Sequence, residues 1–267
     1  MKQCKSVWVI LLLFALVATH ATGEEKKFSK TLRVAEGGTL TLSSDVGSVS
    51  VRGTTSANVV VEATISGVEG SIDAFSIAEA TEGSNVVVSG KYNAPNIGRL
   101  AAGMALKVSF SIEVPTRYNL VVTTSGGSIY LENIEGTEEV KTSGGEITAK
   151  NIDGSLTCVT SAGSIDAEKI AGALRGTTSG GSVRVSVVRD YKGIYTKTSG
   201  GSIVIALPRS ATATIDATTS GGKVTCDLPV VISERTKEKV LRGTLNGGGD
   251  TLFAKTSAGS ISIIAVD

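Results

Sequence analysis

Imidazole is almost missing from this chain: its 267 residues include one histidine, His20, and one tryptophan, Trp8. Aromatics amount to 4% and there are four prolines. So few aromatics imply a core of Val, Ile, Leu and Ala. Scarce proline beside 32 glycines excludes collagen and argues against a disordered linker. An excess of one charge is missing too. A net charge of +1 gives no reason to expect nucleic acid or an anionic membrane surface as a partner. The longest apolar run, residues 7–18, falls short of the ~20 residues that a spanning helix needs.

That run follows Lys2 and Lys5 and precedes the small residues Thr19, Ala21, Thr22 and Gly23. A basic start, a short apolar stretch and a small-residue site read as a secretory signal peptide over residues 1–23, cleaved after Ala21 or Gly23. Cys4 lies ahead of the apolar run, on the wrong side for lipidation. Cleavage removes His20, Trp8 and two lysines, leaving 24 basic residues against 25 acidic ones. A mature chain without imidazole has no Ser-His-Asp or Cys-His catalysis and no His-ligated metal. It is expected to be exported, to the periplasm, cell surface or medium, and not to span a membrane.

What the chain does have is a repeat. Thr-Ser-Gly-Gly or Thr-Ser-Ala-Gly, followed one residue later by Ile or Val, starts at Thr124, Thr142, Thr160, Thr178, Thr198, Thr219 and Thr256. Asp45-Val46-Gly47-Ser48-Val49 and Asn246-Gly247-Gly248-Gly249 read as degenerate copies. After each glycine pair apolar residues alternate: Ile129 and Leu131, Ile147 and Ala149, Ile165 and Ala167, Val183 and Val185, Ile203 and Ile205. Alternation by two marks a strand with one buried face. A further apolar site follows at Ile134, Ile152, Ile170 and Val188, then a second corner at Gly136, Gly154 and Gly172. One such unit cannot bury its apolar side, whereas stacked units can.

The expectation is therefore an all-β, single-domain parallel β-solenoid with coils of 18–21 residues. Residues 24–122 form irregular coils and 123–267 regular ones. An evenly spaced β-sandwich is the alternative. Glycine at the corners is expected to supply positive φ. Outward ladders alternate in sign, with Glu132, Lys150 and Glu168 on one row and Asp166 beside Arg184 on another. Early strands are expected at 31–35, 39–42, 48–52, 58–64, 85–89 and 106–114. Residues 100–105 suit a short helix over an edge, and 232–241 a solvated loop. Cys158 and Cys226 fall on inward sites about four coils apart, roughly 15–20 Å at strand spacing. That is too far for a disulfide, which tolerates Cα atoms only up to about 7 Å apart.

Val114-Pro115, the segment from Leu120 to Ile129, and the segment from Leu241 through Gly249 into Thr256–Ile261 together resemble the hallmark of the DUF4097 "putative adhesin" family. The resemblance covers about residues 28–267. It implies an exported bacterial β-solenoid with envelope work, such as surface attachment or envelope stress, and brings no catalytic, cofactor or metal residues. The function expected is a non-catalytic scaffold that binds an envelope protein or glycan, with self-association through open coil edges as a further mode. The alternative is a carbohydrate-active β-helix enzyme. For that, Asp166 and Glu168 are the carboxylate pair to consider, about 7 Å apart along one strand, but Arg184 and Lys150 mark them as solvated surface charges. Asn246 and Asp250 are too few oxygen ligands for calcium.

Overall fold

The computed structural model describes residues 24–67, 70–93, 106–189 and 191–266. The leader and the expected helix at 100–105 lie outside them. All described regular structure is β, with no helix long and apolar enough to cross a membrane. The strands are β1 (Glu24–Arg33), β2 (Thr39–Ser44), β3 (Ser48–Thr54), β4 (Asn58–Gly67), β5 (Phe75–Glu82), β6 (Asn85–Tyr92), β7 (Leu106–Pro115), β8 (Asn119–Thr124), β9 (Ile129–Thr142), β10 (Ile147–Val159), β11 (Ile165–Thr177), β12 (Val183–Arg189), β13 (Ile194–Lys197), β14 (Ile203–Pro208), β15 (Ala213–Thr219), β16 (Val224–Cys226), β17 (Val230–Thr236), β18 (Val240–Leu245), β19 (Thr251–Thr256) and β20 (Ile261–Val266).

They form the expected solenoid, with two main faces. The first face stacks in the order β1, β4, β7, β3, β9, β10, β11, β12, β14, β20, β16. The second runs β5, β6, β2, β8, then the later halves of β9, β10 and β11, then β13, β19, β15, β18, β17. The middle of each face is parallel; both ends of the second face and the β1–β4–β7 end of the first are antiparallel, while the first face stays parallel through β16. About a dozen levels at strand spacing give a stack about 50 Å tall.

Chain order and stacking order differ at both ends. The coil β2–β3 sits between β6–β7 and β8–β9. At the other end the coil β19–β20 sits between β13–β14 and β15–β16. Each of these two coils is thus covered on both sides, and strands other than theirs form the ends of the stack. The outermost strands carry charge, as in the Glu24–Arg33 segment, or are short, as in Val224–Cys226. β17 has a register shift between Ile232 and Glu234. Charge, brevity and bulges are the usual guards of an open edge.

The repeated corner explains the motif. Each buried Thr hydroxyl donates to the carbonyl of the second glycine one level down. These contacts are Thr124 to Gly47, Thr142 to Gly127, Thr160 to Gly145, Thr178 to Gly163, Thr198 to Gly181, Thr256 to Gly201 and Thr219 to Gly259, all at 2.7–2.9 Å. At every motif from Thr142 on, the same hydroxyl accepts the N–H of its own second glycine, as Thr160 does from Gly163 at 3.3 Å. The expected positive φ is not the reason for these glycines, because none of the Thr-Ser-Gly-Gly pairs adopts it. The reason is close approach: a Cβ on Gly163 would lie 1.8 Å from the Gly145 carbonyl oxygen, and one on Gly145 would lie 2.0 Å from that of Gly127. The first glycine is less constrained: a Cβ at Gly126 would meet nothing within 4 Å, and one at Gly180, Gly200 or Gly221 would approach backbone carbonyl oxygens at 2.9–3.3 Å. A Cβ at Gly144 would meet nothing nearer than 3.9 Å, and Ala162 and Ala258 already occupy that place. Positive φ occurs at the other corner instead, at Asn133, Asn151 and Lys169 and at Gly154 and Gly172.

Several local expectations need correction. Val188 is exposed, and Val187 takes the inward site opposite Ile170, because the register shifts between β11 and β12. Asn246-Gly247-Gly248-Gly249 is not a corner copy; it links β18 to β19, with Asn246 donating to the carbonyls of Arg209 and Ala211. Asp45–Val49 is a corner copy, its Gly47 carbonyl taken by Thr124. Residues 232–241 are a hairpin of β17 and β18, and β1 begins earlier than expected. β5 has no counterpart among the expected strands. Its inward side turns polar after Ile77, at Glu79 and Thr81, while Ala78 and Ala80 face outward, so the period-two signal is weak. Aromatics do enter the core, at Phe75, Phe110 and Tyr118, where the irregular N-terminal levels leave more room than the tight Thr-Gly corners.

Among the described residues Glu138 is the one buried acid, 1% exposed, in a row whose neighbours are Leu120 and Leu156. Neither carboxylate oxygen has a hydrogen-bond partner. Burial, with Asp153 nearby, pushes its pKa up to about 8. Cys158, buried between Val140 and Gly176, is pushed up by burial and by Glu138. Cys226 is half-buried on β16. Because β20 is inserted, five strand spacings separate the levels of the two thiols rather than four, about 24 Å.

Three outcomes follow. Gly163→Ala should cost about 2–3 kcal/mol in chemical denaturation while Gly144→Ala changes stability by under ~0.5 kcal/mol; equal effects would refute the close-approach account. Alkylation of the denatured, unreduced chain that begins after residue 23 should add two groups by intact mass, and in the native state Cys226 should react before Cys158. The third concerns pH. The folded pKa of Glu138 lies above its unfolded value, so its contribution is full at acidic pH and is lost as pH rises through about 8. The complete loss corresponds to about 5 kcal/mol. The melting temperature should fall between pH 5.5 and 9, and Glu138→Leu should remove most of that fall.

Candidate functional site

The first face is dominated by paired charges over a row of serines. Arg184 meets Asp166 at 3.4 Å, Lys150 meets Glu168 at 3.0 Å, and Arg52 meets Glu132 at 3.0 Å. The carboxylates of the enzyme alternative, Asp166 and Glu168, therefore each hold a cation, as the ladder argument expects. The partnership with Glu168 also raises the Lys150 pKa. Asp166 still has one buried oxygen, Oδ1, without a hydrogen-bond partner. The serine hydroxyls are committed to the corners: Ser164 accepts the Ser182 N–H and Ser202 accepts the Ser260 N–H, at 3.1–3.2 Å. On the row of Asp166 and Arg184, Val204 faces Ser262 of the inserted β20, with Thr225 one level further on.

In the segment whose sequence is too poor in ligands for calcium, the Asp250 carbonyl accepts from the Tyr191 hydroxyl at 3.1 Å and from the Thr214 N–H. Burial, with Asp250 nearby, pushes the Tyr191 pKa up. Among the described residues no group of three or more His, Cys, Asp or Glu side chains could hold a metal ion.

The second face differs. Its central outward row runs Glu139, Thr157, Arg175, Tyr195, Phe253, Asp216, Arg242, Glu234. Tyr195 and Phe253 stack with ring centroids 4.7 Å apart and planes within 10°. The Arg175 guanidinium carbon sits 4.2 Å from the Tyr195 ring centre. On the next row Lys197 stands directly beside Lys255. Lys192 lies at the edge of a shallow groove of about 270 Å3 that Ser155, Thr157, Arg175, Tyr195 and Thr251 also line. Arg242, by contrast, is held by Asp216 and Glu234, and its pKa is raised by them.

This cluster was not legible as a site. Like charges were expected to avoid each other between adjacent coils, yet Lys197 abuts Lys255. The tyrosines formed no series in sequence because Phe253 is 58 residues from Tyr195. The signal was present in the motif frame: Arg175, Tyr195 and Phe253 each precede their motif threonine by three residues, and Lys197 and Lys255 by one. Only the insertion of β19 beside β13 makes them neighbours.

Comparison with known proteins gives the family. No curated protein matches the chain. A "putative cell adhesion protein" from Clostridium sporogenes is similar over 91% of this chain and 100% of its own, at 13% identity and TM-score 0.44. A "putative adhesin" from Parabacteroides merdae covers 90% and 96%, at 12% identity and TM-score 0.38. A "putative lipid binding protein" from Parabacteroides distasonis covers 92% and 98%, at 16% identity and TM-score 0.37. The family model Toastrack DUF4097 matches residues 18–264. With nearly its whole length matched by that model, and with the stacked all-β architecture expected of it, the chain belongs to the Toastrack DUF4097 family.

Proposed function

We propose that this chain is an exported, adhesin-like binding scaffold of the cell envelope or surface, without catalytic activity, that presents its faces to a glycan or an envelope protein. The observation that carries this reading is the second-face groove with the lysine pair beside it: Arg175 and Lys192 in the groove, and Lys197 and Lys255 on the neighbouring row, have no carboxylate partner among the described residues. Ordered charge without internal compensation suits a surface that meets something else. A basic and apolar leader over residues 1–23 supports export, and the loss of His20 with that leader supports a non-catalytic role. The ion pairs of Asp166 and Glu168 support it further, since a glycosidase needs one carboxyl protonated and the other free.

Two measurements test this. The tagged protein, recovered from the exported fraction, should retain an envelope protein or polysaccharide in a pull-down, and nothing specific in either class would overturn binding. Incubated with cell-wall and plant polysaccharides at high concentration, it should release no reducing ends or unsaturated products. Product release that disappears in Asp166→Asn or Glu168→Gln would establish the enzyme alternative.

A further inference from the structure

The second-face groove carries an assignment of ligand class. We propose that it binds an extended acidic polysaccharide, with Arg175, Lys192, Lys197 and Lys255 contacting its carboxylate or sulfate groups; this rests on the binding-scaffold reading above.

The first argument is charge. Most of the cations on the two faces have an anion beside them: Arg52, Lys141, Lys150, Arg184 and Arg242 all do. Arg175 and Lys192 in the groove, and Lys197 and Lys255 next to it on β13 and β19, have no carboxylate partner among the described residues. Lys197 and Lys255 occupy register-matched positions on neighbouring strands, roughly 4.8 Å apart, and like charges placed so destabilise a sheet. Elsewhere register-matched charges are mostly of opposite sign, as in Glu132–Lys150–Glu168, Asp166–Arg184 and Asp216–Arg242, with Glu135 beside Asp153 as an exception. An anion lying across both ammonium groups would offset the repulsion.

The second argument is the state of the rings. An aromatic site for neutral sugars offers an open ring face. Here Tyr195 has one face against Phe253 and the other under Arg175, so its faces are closed. The ring pair works as a rigid support. It holds the guanidinium by a cation–π contact that leaves its in-plane N–H donors free for a carboxylate or sulfate. Affinity must then come from charge, with Ser155, Thr157 and Thr251 supplying hydroxyls along the groove. Closed faces also disfavour single-stranded nucleic acid, which binds by stacking bases on exposed rings, and the near-neutral chain has no wide basic field to collect it. The third argument is shape. The cations spread over the β11, β13 and β19 levels and along the strand from Lys192 to Lys197, which suits an extended polymer better than a single small anion.

The test measures binding of the exported protein to polygalacturonate, dextran sulfate, uncharged dextran, single-stranded oligothymidylate and anionic phospholipid vesicles. Binding to at least one acidic glycan and none to dextran is expected, weakening at least tenfold between 50 and 300 mM salt. Lys197→Gln/Lys255→Gln should weaken it about tenfold, Arg175→Gln by a similar factor, and the distant Lys107→Gln by less than twofold. Removing adjacent like charges should leave the melting temperature unchanged or raised, which shows that lost binding is not lost folding. The assignment is overturned by equal binding to dextran, by no binding to either acidic glycan, by full affinity in the double variant, or by tighter capture of the oligonucleotide or vesicles through the same residues. If the double variant still retains an envelope partner in the pull-down, the ligand assignment fails while the scaffold reading stands; if even the unaltered protein retains none, the scaffold reading itself fails.

Discussion

The contact between a threonine hydroxyl and the glycine carbonyl of the level beneath it sets the geometry of this molecule. Each hydroxyl donates downward to one level and, at every motif from Thr142 on, accepts from its own, so one buried atom ties two corners together. The contact works only if the corners approach closely enough that the second glycine can carry no Cβ. That closeness fixes the register of the strands leaving the corner. In β9, β10 and β11 it keeps inward residues over inward residues, with Ile129, Ile147 and Ile165 in one column. Leaving such a carbonyl unpaired inside the stack would cost about 1–3 kcal/mol, and seven levels repeat it.

The same contact records the true order of the coils. Thr256 donates to Gly201 and Thr219 donates to Gly259, so the last motif in sequence lies inside the one before it. The N-terminal end repeats the device with β2 and β3. Tucking such a coil between two others pairs both its edges with the rest of the stack. It also leaves the outermost positions to strands whose charge, brevity or bulges discourage further pairing. The strategy answers the problem of every stacked fold, namely what to do with the last unpaired edge.

This inversion also creates the feature to which the proposed function is attached. The Tyr195–Phe253 stack and the Lys197–Lys255 pair both cross the seam between the regular coils and the inserted one. The aromatic stack strengthens the seam and the lysine pair weakens it. A position that sets attraction and repulsion side by side is where a ligand can act. Glu138 is a second internal mismatch, a carboxyl in a leucine row between the irregular and regular levels. It couples stability to pH rather than to a ligand.

Much of the architecture is written in the sequence. The motif period, the alternation after each glycine pair and the inward row from Ile129 to Ile205 specify a parallel stack, because identical phase in successive copies buries identical sides. The ion pairs of Asp166 with Arg184 and Glu168 with Lys150 were legible for the same reason, since coils adjacent in sequence there are adjacent in space. Why the second glycine recurs was not legible, because a requirement for positive φ and a requirement for close approach select the same residue. Nor was the order of the outer coils: every motif copy fits on every other, so sequence phase gives the row a residue occupies but not its level. Tertiary structure alone decided that Phe253 lies on Tyr195 and Lys255 beside Lys197, because the connection through β15–β18 leaves open a level that only β19 and β20 fill.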